Sequence, residues 1–152
     1  LTSPVFEHNK FIPTRYTCEG EDVNPALVIE DIPEGTKSLA LIVDDPDAPD
    51  PAAPKIVWVH WVLYNIPPTA NGLIEGVTEK NLPPGTLQGI NDWKRIGYGG
   101  PCPPGGTHRY VFHLYALDSV LALPAGATAD QVRQALEGHT LGQVDLMGRY
   151  GR

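Results

Sequence analysis

The sequence GYGGPCPPGGTHRYVFHLYAL, residues 97–117, combines a loop and a strand around which the rest of the chain is arranged. Its first ten residues hold five glycines and three prolines, a composition that excludes a regular helix or a central strand. From His108 onwards side chains alternate, so every second residue up to Leu114 shares one face of a predicted strand. The loop therefore delivers His108 and Tyr110 onto one face, beside backbone N–H groups that suit an anion.

A first apolar run, SLALIVDD at residues 38–45, is short and rich in aliphatic residues. These properties are typical of a buried strand. Two prolines, Pro46 and Pro49, follow directly and lack the N–H group that pairing needs. We therefore expect this strand to end at Asp45.

A second run, KIVWVHWVLYNI at residues 55–66, is the strongest strand pattern in the chain. Strict alternation places Trp58 and His60 on one face together with Val62 and Tyr64. The opposite face is also apolar, which predicts a central strand covered on both sides.

One helix is predicted late in the chain. Thr128 with Gln131 three residues later matches a capping box, an apolar stripe follows, and Gly138 is placed to end the helix. A last strand is predicted over residues 141–150. Many strands and one late helix indicate a single mostly-β domain, residues 1–152, with a helix at one edge.

Composition excludes several classes of function. The net charge of −7 disfavours nucleic acid as a partner. No apolar stretch approaches the roughly 20 residues that span a bilayer. We expect a cytoplasmic protein, although a chain that begins at Leu1 leaves open a removed leader.

The two cysteines, Cys18 and Cys102, both lie in predicted loops. In a cytoplasmic protein two free, partly buried thiols are the favoured interpretation. The alternative is one disulfide that ties two loops around a site.

Three kinds of site can be built from Asp45, Asp47, His60, His108 and Tyr110. The first is a pocket for a small anion, in which an aspartate orients a histidine and the other polar groups donate hydrogen bonds. The second is a metal site, which the spacing of the histidines does not favour. The third is an Asp–His hydrolase; a serine triad is disfavoured because no serine adjoins a histidine.

Several motifs together resemble the phosphatidylethanolamine-binding protein family, also called Raf kinase inhibitor-like proteins. They are DPDAP at residues 45–49, the pair Trp58 and His60, and GGPCPPGGTHRY at residues 99–110. Within the family, RYTCEG at residues 15–20 and YGGPCPP at residues 98–104 resemble the compact bacterial and archaeal branch. The resemblance implies a β-sandwich with a large central antiparallel or mixed sheet and one or two short peripheral helices.

The resemblance also implies a ligand. Family members bind phosphate, phospholipid head groups or related anions in one pocket, without an established catalytic activity, cofactor or metal. Matched by motif, the binding residues here are Asp45, Trp58, His60, Gly100, Pro101, His108 and Tyr110. If a histidine in this pocket is protonated on binding, affinity should rise below its usual pKa of about 6.5.

The partners implied by the resemblance are serine proteases or kinases, which such proteins inhibit. The sequence ends soon after the last predicted strand, without the C-terminal helix of eukaryotic members, so a more open pocket is expected and a Raf-type partner is disfavoured. Homodimers and peripheral membrane contact are weaker implications. The alternative function is a dedicated serine protease inhibitor acting through a surface loop, residues 49–55 or 78–88, beside a vestigial pocket.

Overall fold

The computed structural model describes all 152 residues, Leu1 to Arg152. The chain forms eight strands, one α-helix and one 3₁₀ turn. In chain order they are β1 (Lys10–Phe11), the 3₁₀ turn (Thr14–Tyr16), β2 (Leu27–Val28), β3 (Ser38–Ala48), β4 (Ile56–Ile66), β5 (Gly72–Leu73), β6 (Leu87–Gln88), β7 (Thr107–Leu117), α1 (Ala129–Leu136) and β8 (Thr140–Gly151).

Six strands form one mixed sheet in the order β1-β8-β7-β3-β4-β6. Neighbouring strands run antiparallel except β1, which is parallel to β8. Strands β2 and β5 make a separate antiparallel pair, and their buried Leu27 and Leu73 join the core on one face of the large sheet. The predicted mostly-β fold with a large mixed sheet is confirmed. No helix here is long and apolar enough to cross a membrane.

Apolar residues cover the large sheet on both faces, as the two-sided patterns predicted. One face carries the larger core, with Trp61, Tyr110 and Phe112 among its largest members. The other face packs Ile42, Val62 and Tyr64 against the helix α1. The sheet is thus the middle layer of the molecule, and its polar end is free to carry a site.

The strand β3 is longer than predicted and lies at the centre of the sheet. It continues through Pro46 to Ala48, which pairs with Ile56 after an irregularity in register. Pairing with β7 stops earlier, at Asp44. The prediction that the strand ends at Asp45 was therefore wrong. Beyond Asp44 the strand β3 no longer pairs with β7, but it pairs with β4 at Asp45 and once more at Ala48.

The strand β4 is buried on both faces but is not central. Its outer neighbour β6 has only two residues. Loop backbone covers the rest of this edge, since the amides of Gly89, Asp92 and Gly99 donate to the carbonyls of β4. The central position belongs to β3, and the prediction for β4 is corrected accordingly.

A β-bulge at His60 alters the faces of β4. Asp44 pairs with Val59 and Val43 pairs with Trp61, so His60 has no partner across the strand. The extra residue lets His60 and Trp61 lie on the same side of the sheet. Strict alternation thus failed beyond His60, because an inserted residue moves the side chains that follow it to the opposite face, up to a second shift in register between Leu63 and Ile66.

The helix begins as predicted, with a complete capping box between Thr128 and Gln131. Arg133 in its last turn reaches the sheet and donates to buried Asp44 at 3.0 Å. His113 lies between two carboxylates, with Nε2 3.1 Å from Asp44 and Nδ1 2.9 Å from Asp145. This ionic cluster fastens α1 to the sheet face opposite the site described next.

Candidate functional site

A cavity of about 270 Å³ opens where the strands β3, β4 and β7 meet the loop of residues 97–106. Five of the seven residues assigned to binding line it: Asp45, Trp58, His60, His108 and Tyr110. The remaining lining residues are Ala48, Pro49, Ile56, Trp93, Cys102, Pro103 and Pro104. The fold thus brings together residues that lie far apart in the sequence.

Asp45 and His108 form a buried pair at the base of the cavity. Oδ2 of Asp45 lies 2.6 Å from Nδ1 of His108, as expected for an aspartate that fixes an imidazole. Nε2 of the same ring lies 3.0 Å from the carbonyl oxygen of Gly105. Both ring nitrogens of His108 therefore have partners within the protein, so neither is left for a ligand.

The environment of Asp45 opposes its charge. Burial raises the pKa of its carboxyl, and the hydrogen bond from His108 opposes that rise. Oδ1 of Asp45 accepts from the amide of Asp47 at 2.8 Å. The carboxylate of Asp47 instead binds Arg109 in a bidentate pair at 2.8 and 2.9 Å, and this contact lowers the pKa of Asp47. Arg109 therefore neutralises Asp47, and no Lys or Arg lines the cavity.

His60 is 3% exposed and enters the cavity through the bulge. Burial lowers its pKa to about 4, so the ring is neutral near pH 7. Nδ1 lies 2.7 Å from the carbonyl oxygen of Gly99 and must carry the proton to donate there. Nε2 is then an acceptor. The expected gain of affinity on histidine protonation below about pH 6.5 cannot come from this residue.

Tyr110 is 1% exposed, and its hydroxyl is buried without a protein hydrogen-bond partner. Its ring lies edge-on to that of His60, with centroids 5.2 Å apart. Burial raises the pKa of the phenol far above its usual value, so the group is a donor at every ordinary pH. A buried donor of this kind is stabilised when a ligand atom accepts from it.

Gly100 and Pro101 are not among the residues that line this cavity, and their contact with a ligand stays a prediction. The amide of Gly100 donates to Asp22 at 2.7 Å, and the carbonyl of Pro101 accepts from Cys18. A Cβ on Gly100 would overlap the carbonyl oxygen of Tyr16. Both residues therefore hold the loop in place rather than line the cavity.

The family model described as phosphatidylethanolamine-binding protein matches residues 2–151. The chain belongs to the phosphatidylethanolamine-binding protein family. The motifs that resemble this family therefore predicted the right fold, and they contain Asp45 and His108, which form the buried pair.

Relatives and solved structures agree with this membership. A UPF0098 protein of Methanothermobacter thermautotrophicus is 51% identical and covers 100% of this chain and 98% of its own. A UPF0098 protein of Chlamydia muridarum is 45% identical over 99% of this chain and 97% of its own.

Two crystal structures share the fold. A phosphatidylethanolamine-binding protein homolog from Chlamydia trachomatis has a TM-score of 0.90 at 40% identity, covering 99% of this chain and 95% of its own. YbcL of E. coli, described as a member of the mammalian family, has a TM-score of 0.89 at 31% identity, covering 99% and 96%.

The sequence motifs missed Trp93 as a cavity residue. Its ring lies edge-on to both Trp58 and His60, at 5.6 and 4.9 Å between centroids. A Cβ on Gly99 would overlap this ring, so glycine is required for the loop to close over it. The only local signal was an aromatic residue just before a glycine-rich loop.

The two cysteines of this family member are bonded, so the favoured interpretation of free thiols was wrong. Cys18 and Cys102 form a disulfide, and Cys102 lines the cavity. The alternative, a bridge that ties two loops around a site, is what the structure contains. No group of three or more His, Cys, Asp or Glu side chains is arranged to hold a metal ion.

Proposed function

We propose that this protein is a non-enzymatic regulator that binds a small phosphorylated ligand, inorganic phosphate or a phospho-head group, in the cavity at Asp45, His60 and His108. The observation that carries the proposal is the buried, unpartnered hydroxyl of Tyr110 beside the free acceptor nitrogen of His60. Together they match a ligand that both accepts and donates a hydrogen bond.

The size and lining of the cavity favour a small ligand with an apolar portion. A volume of about 270 Å³ lies just below the usual range for drug-sized ligands, and it admits a phosphate with a short substituent. Trp58, Trp93 and Ile56 offer apolar surface to that substituent. No serine or threonine lines the cavity, and the cysteine that does, Cys102, is held in a disulfide.

The charges in the cavity favour a phosphate monoanion over a dianion. The carboxyl of Asp45 contacts His108, His60 is neutral, and no Lys or Arg lines the cavity. The monoanion of a phosphate ester carries one P–O–H group and that of inorganic phosphate carries two, so either can donate to Nε2 of His60 while another oxygen accepts from Tyr110. Binding should therefore strengthen as pH falls through the second ionisation of the ligand, near pH 6 for a phosphate ester.

The test is a calorimetric titration with phosphate, phosphoethanolamine and sulfate between pH 5.5 and 8. Sulfate is the control because it remains a dianion without a proton to donate over this range. We expect phosphate to bind more tightly at pH 5.5 than at pH 8, and sulfate to bind weakly at both. Equal affinity for phosphate and sulfate, or shifts in amide NMR spectra that avoid residues 99–110, would contradict the proposal.

A second function, inhibition of a serine protease by a surface loop, is favoured by one feature. Residues 52–57 are exposed, and this segment ends at the start of β4 in two half-exposed apolar side chains, Ile56 at 49% and Val57 at 50%, of which Ile56 lines the cavity. Exposed neighbouring apolar residues are typical of a docking surface. Inhibition of a chymotrypsin-like protease that survives His108→Ala but is lost in Val57→Asp would assign the activity to the exposed segment of residues 52–57, which includes most of the predicted loop 49–55. A kinase partner is implied by family resemblance and is tested by the same pair of variants.

A further inference from the structure

The disulfide between Cys18 and Cys102 lies at the rim of the cavity and is open to solvent. Cys102 is exposed and Cys18 is half-buried. The bridge spans 84 residues and ties the segment after the 3₁₀ turn to the loop of residues 97–106. A thiol in solution can therefore approach Cys102 without unfolding the protein.

A fixed cation lies beside both sulfur atoms. Nη2 of Arg152 is 3.5 Å from Sγ of Cys18 and 3.9 Å from Sγ of Cys102. Nε of the same guanidinium donates to Glu19 at 3.2 Å, and Glu19 also accepts from the hydroxyl of Tyr150 at 2.7 Å. Glu19 offsets part of the positive charge and holds the guanidinium in place. A nearby arginine stabilises a thiolate, which is the form in which a cysteine leaves a disulfide.

We propose that Cys18–Cys102 is a thiol–disulfide exchange site, reduced by a dithiol, whose state sets the affinity of the cavity. A thiolate of the dithiol attacks Sγ of Cys102 and forms a mixed disulfide. The S–S bond breaks, and its electron pair leaves on Cys18 beside Arg152. The second thiolate of the dithiol then displaces Cys102, and the dithiol departs as its own disulfide. Two electrons pass to the protein, and the thiol protons of the dithiol pass to solvent or to the two cysteines.

The loop of residues 97–106 connects the disulfide to the cavity, and its effect on affinity rests on the function proposed above. Pro103 and Pro104 line the cavity directly after Cys102, and the carbonyl of Gly105 accepts from His108. Without the bridge, the amide of Cys18 still donates to Pro101 at 3.1 Å and the amide of Gly100 still donates to Asp22 at 2.7 Å, but both bonds hold only the part of the loop before Cys102. The part that follows Cys102 must then be ordered when the ligand binds. We expect affinity to fall about 10-fold, the size expected for fixing one backbone residue.

The exchange chemistry is tested without any ligand. Oxidised wild type, Arg152→Gln and the matched control Lys80→Gln, an exposed charge in a distant turn, are treated with dithiothreitol. Samples are quenched with iodoacetamide at timed intervals, and the fraction of reduced, alkylated protein is measured by mass spectrometry. We expect Arg152→Gln to slow reduction at least about threefold, the effect of one unit in the pKa of the leaving thiol. Lys80→Gln should match wild type. Equal rates for all three, or a rate independent of dithiothreitol concentration, would overturn the exchange site.

The coupling is tested by phosphate affinity in the oxidised and reduced protein. Cys18→Ser lacks the bridge and should show the weaker affinity in both conditions, with circular dichroism confirming that it is folded. Equal affinity of oxidised and reduced wild type would overturn the coupling. If neither form binds phosphate, the proposed function fails, and the coupling between the disulfide and the cavity is tested by amide NMR spectra instead. Chemical-shift changes at residues 103–110 on reduction would support the coupling. Changes confined to the two cysteines would overturn it.

Discussion

Replacing Tyr110 by phenylalanine should stabilise the free protein while weakening its ligand binding. The hydroxyl is buried, with no protein partner, at a position that is 1% exposed. A buried unsatisfied polar group costs about 1–3 kcal/mol, because the unfolded chain hydrates it and the folded chain does not. Tyr110→Phe removes that cost and leaves the packing of the ring intact. In a protein of this size a gain of about 1 kcal/mol raises Tm by about 2–4 °C.

The matched control is Tyr98→Phe, since the hydroxyl of Tyr98 does have a partner. It donates to the carbonyl oxygen of Tyr16 at 2.7 Å. Removing it discards a hydrogen bond and leaves that carbonyl without its donor, so we expect a loss of about 1–2 kcal/mol. The two substitutions delete the same atom and should change the free energy of unfolding in opposite directions.

The assay is urea denaturation with both variants at pH 7, followed by phosphate titration. Tyr110→Phe removes a hydrogen bond to a charged acceptor, worth about 1.5–3 kcal/mol, so affinity should fall by about 10- to 100-fold. A Tyr110→Phe variant that is less stable than wild type, with unchanged phosphate affinity, would refute the reasoning. That result would mean that the hydroxyl already has a partner in the free protein.

Two histidines should give pH effects of opposite sign. Burial lowers the pKa of His60 to about 4. Below about pH 6.5 its imidazole is therefore protonated in the unfolded chain but stays neutral in the folded chain until the pH nears 4. Between pH 7 and 4.5 this contributes about 2 kcal/mol of lost stability, which His60→Gln should abolish in denaturant titrations. For His113, burial favours a lower pKa, but Asp44 and Asp145 outweigh it and the pKa is raised. The stability that protonated His113 adds to the fold is therefore complete below about pH 6.5 and is lost as pH rises through the raised pKa. His113→Gln should lower the free energy of unfolding by about 1–2 kcal/mol at pH 6 and by less at pH 9. An equal loss at both pH values would exclude this role.

Local patterns in the sequence were sufficient to predict those elements whose stabilising contacts join residues close together in the chain. The helix α1 followed from Thr128 and Gln131, because a capping box joins groups three residues apart. The strand β7 followed from its alternation, which places His108 and Tyr110 together in any extended conformation. Of these two elements only β7 reaches the cavity, with His108 and Tyr110, because α1 packs on the opposite face of the sheet.

Other features depended on contacts that no local pattern contains. The bulge at His60 arises where β4 pairs with β3, so a period of two could not reveal which residue is extra. The bond between Cys18 and Cys102 depends on two loops meeting 84 residues apart, and composition favoured the opposite interpretation. Trp93 enters the cavity because the glycine at position 99 lets the loop close over its ring.

The sequence by itself determined that this chain is a mostly-β member of its family, with Asp45, His108 and Tyr110 meeting near a glycine- and proline-rich loop. Only the tertiary structure decided which atoms remain for a ligand. The amides of Gly99 and Gly100 and both nitrogens of His108 bond within the protein, whereas the hydroxyl of Tyr110 and Nε2 of His60 do not. The physical reason is that residue types specify which hydrogen bonds are possible, while packing between distant segments decides which of them form.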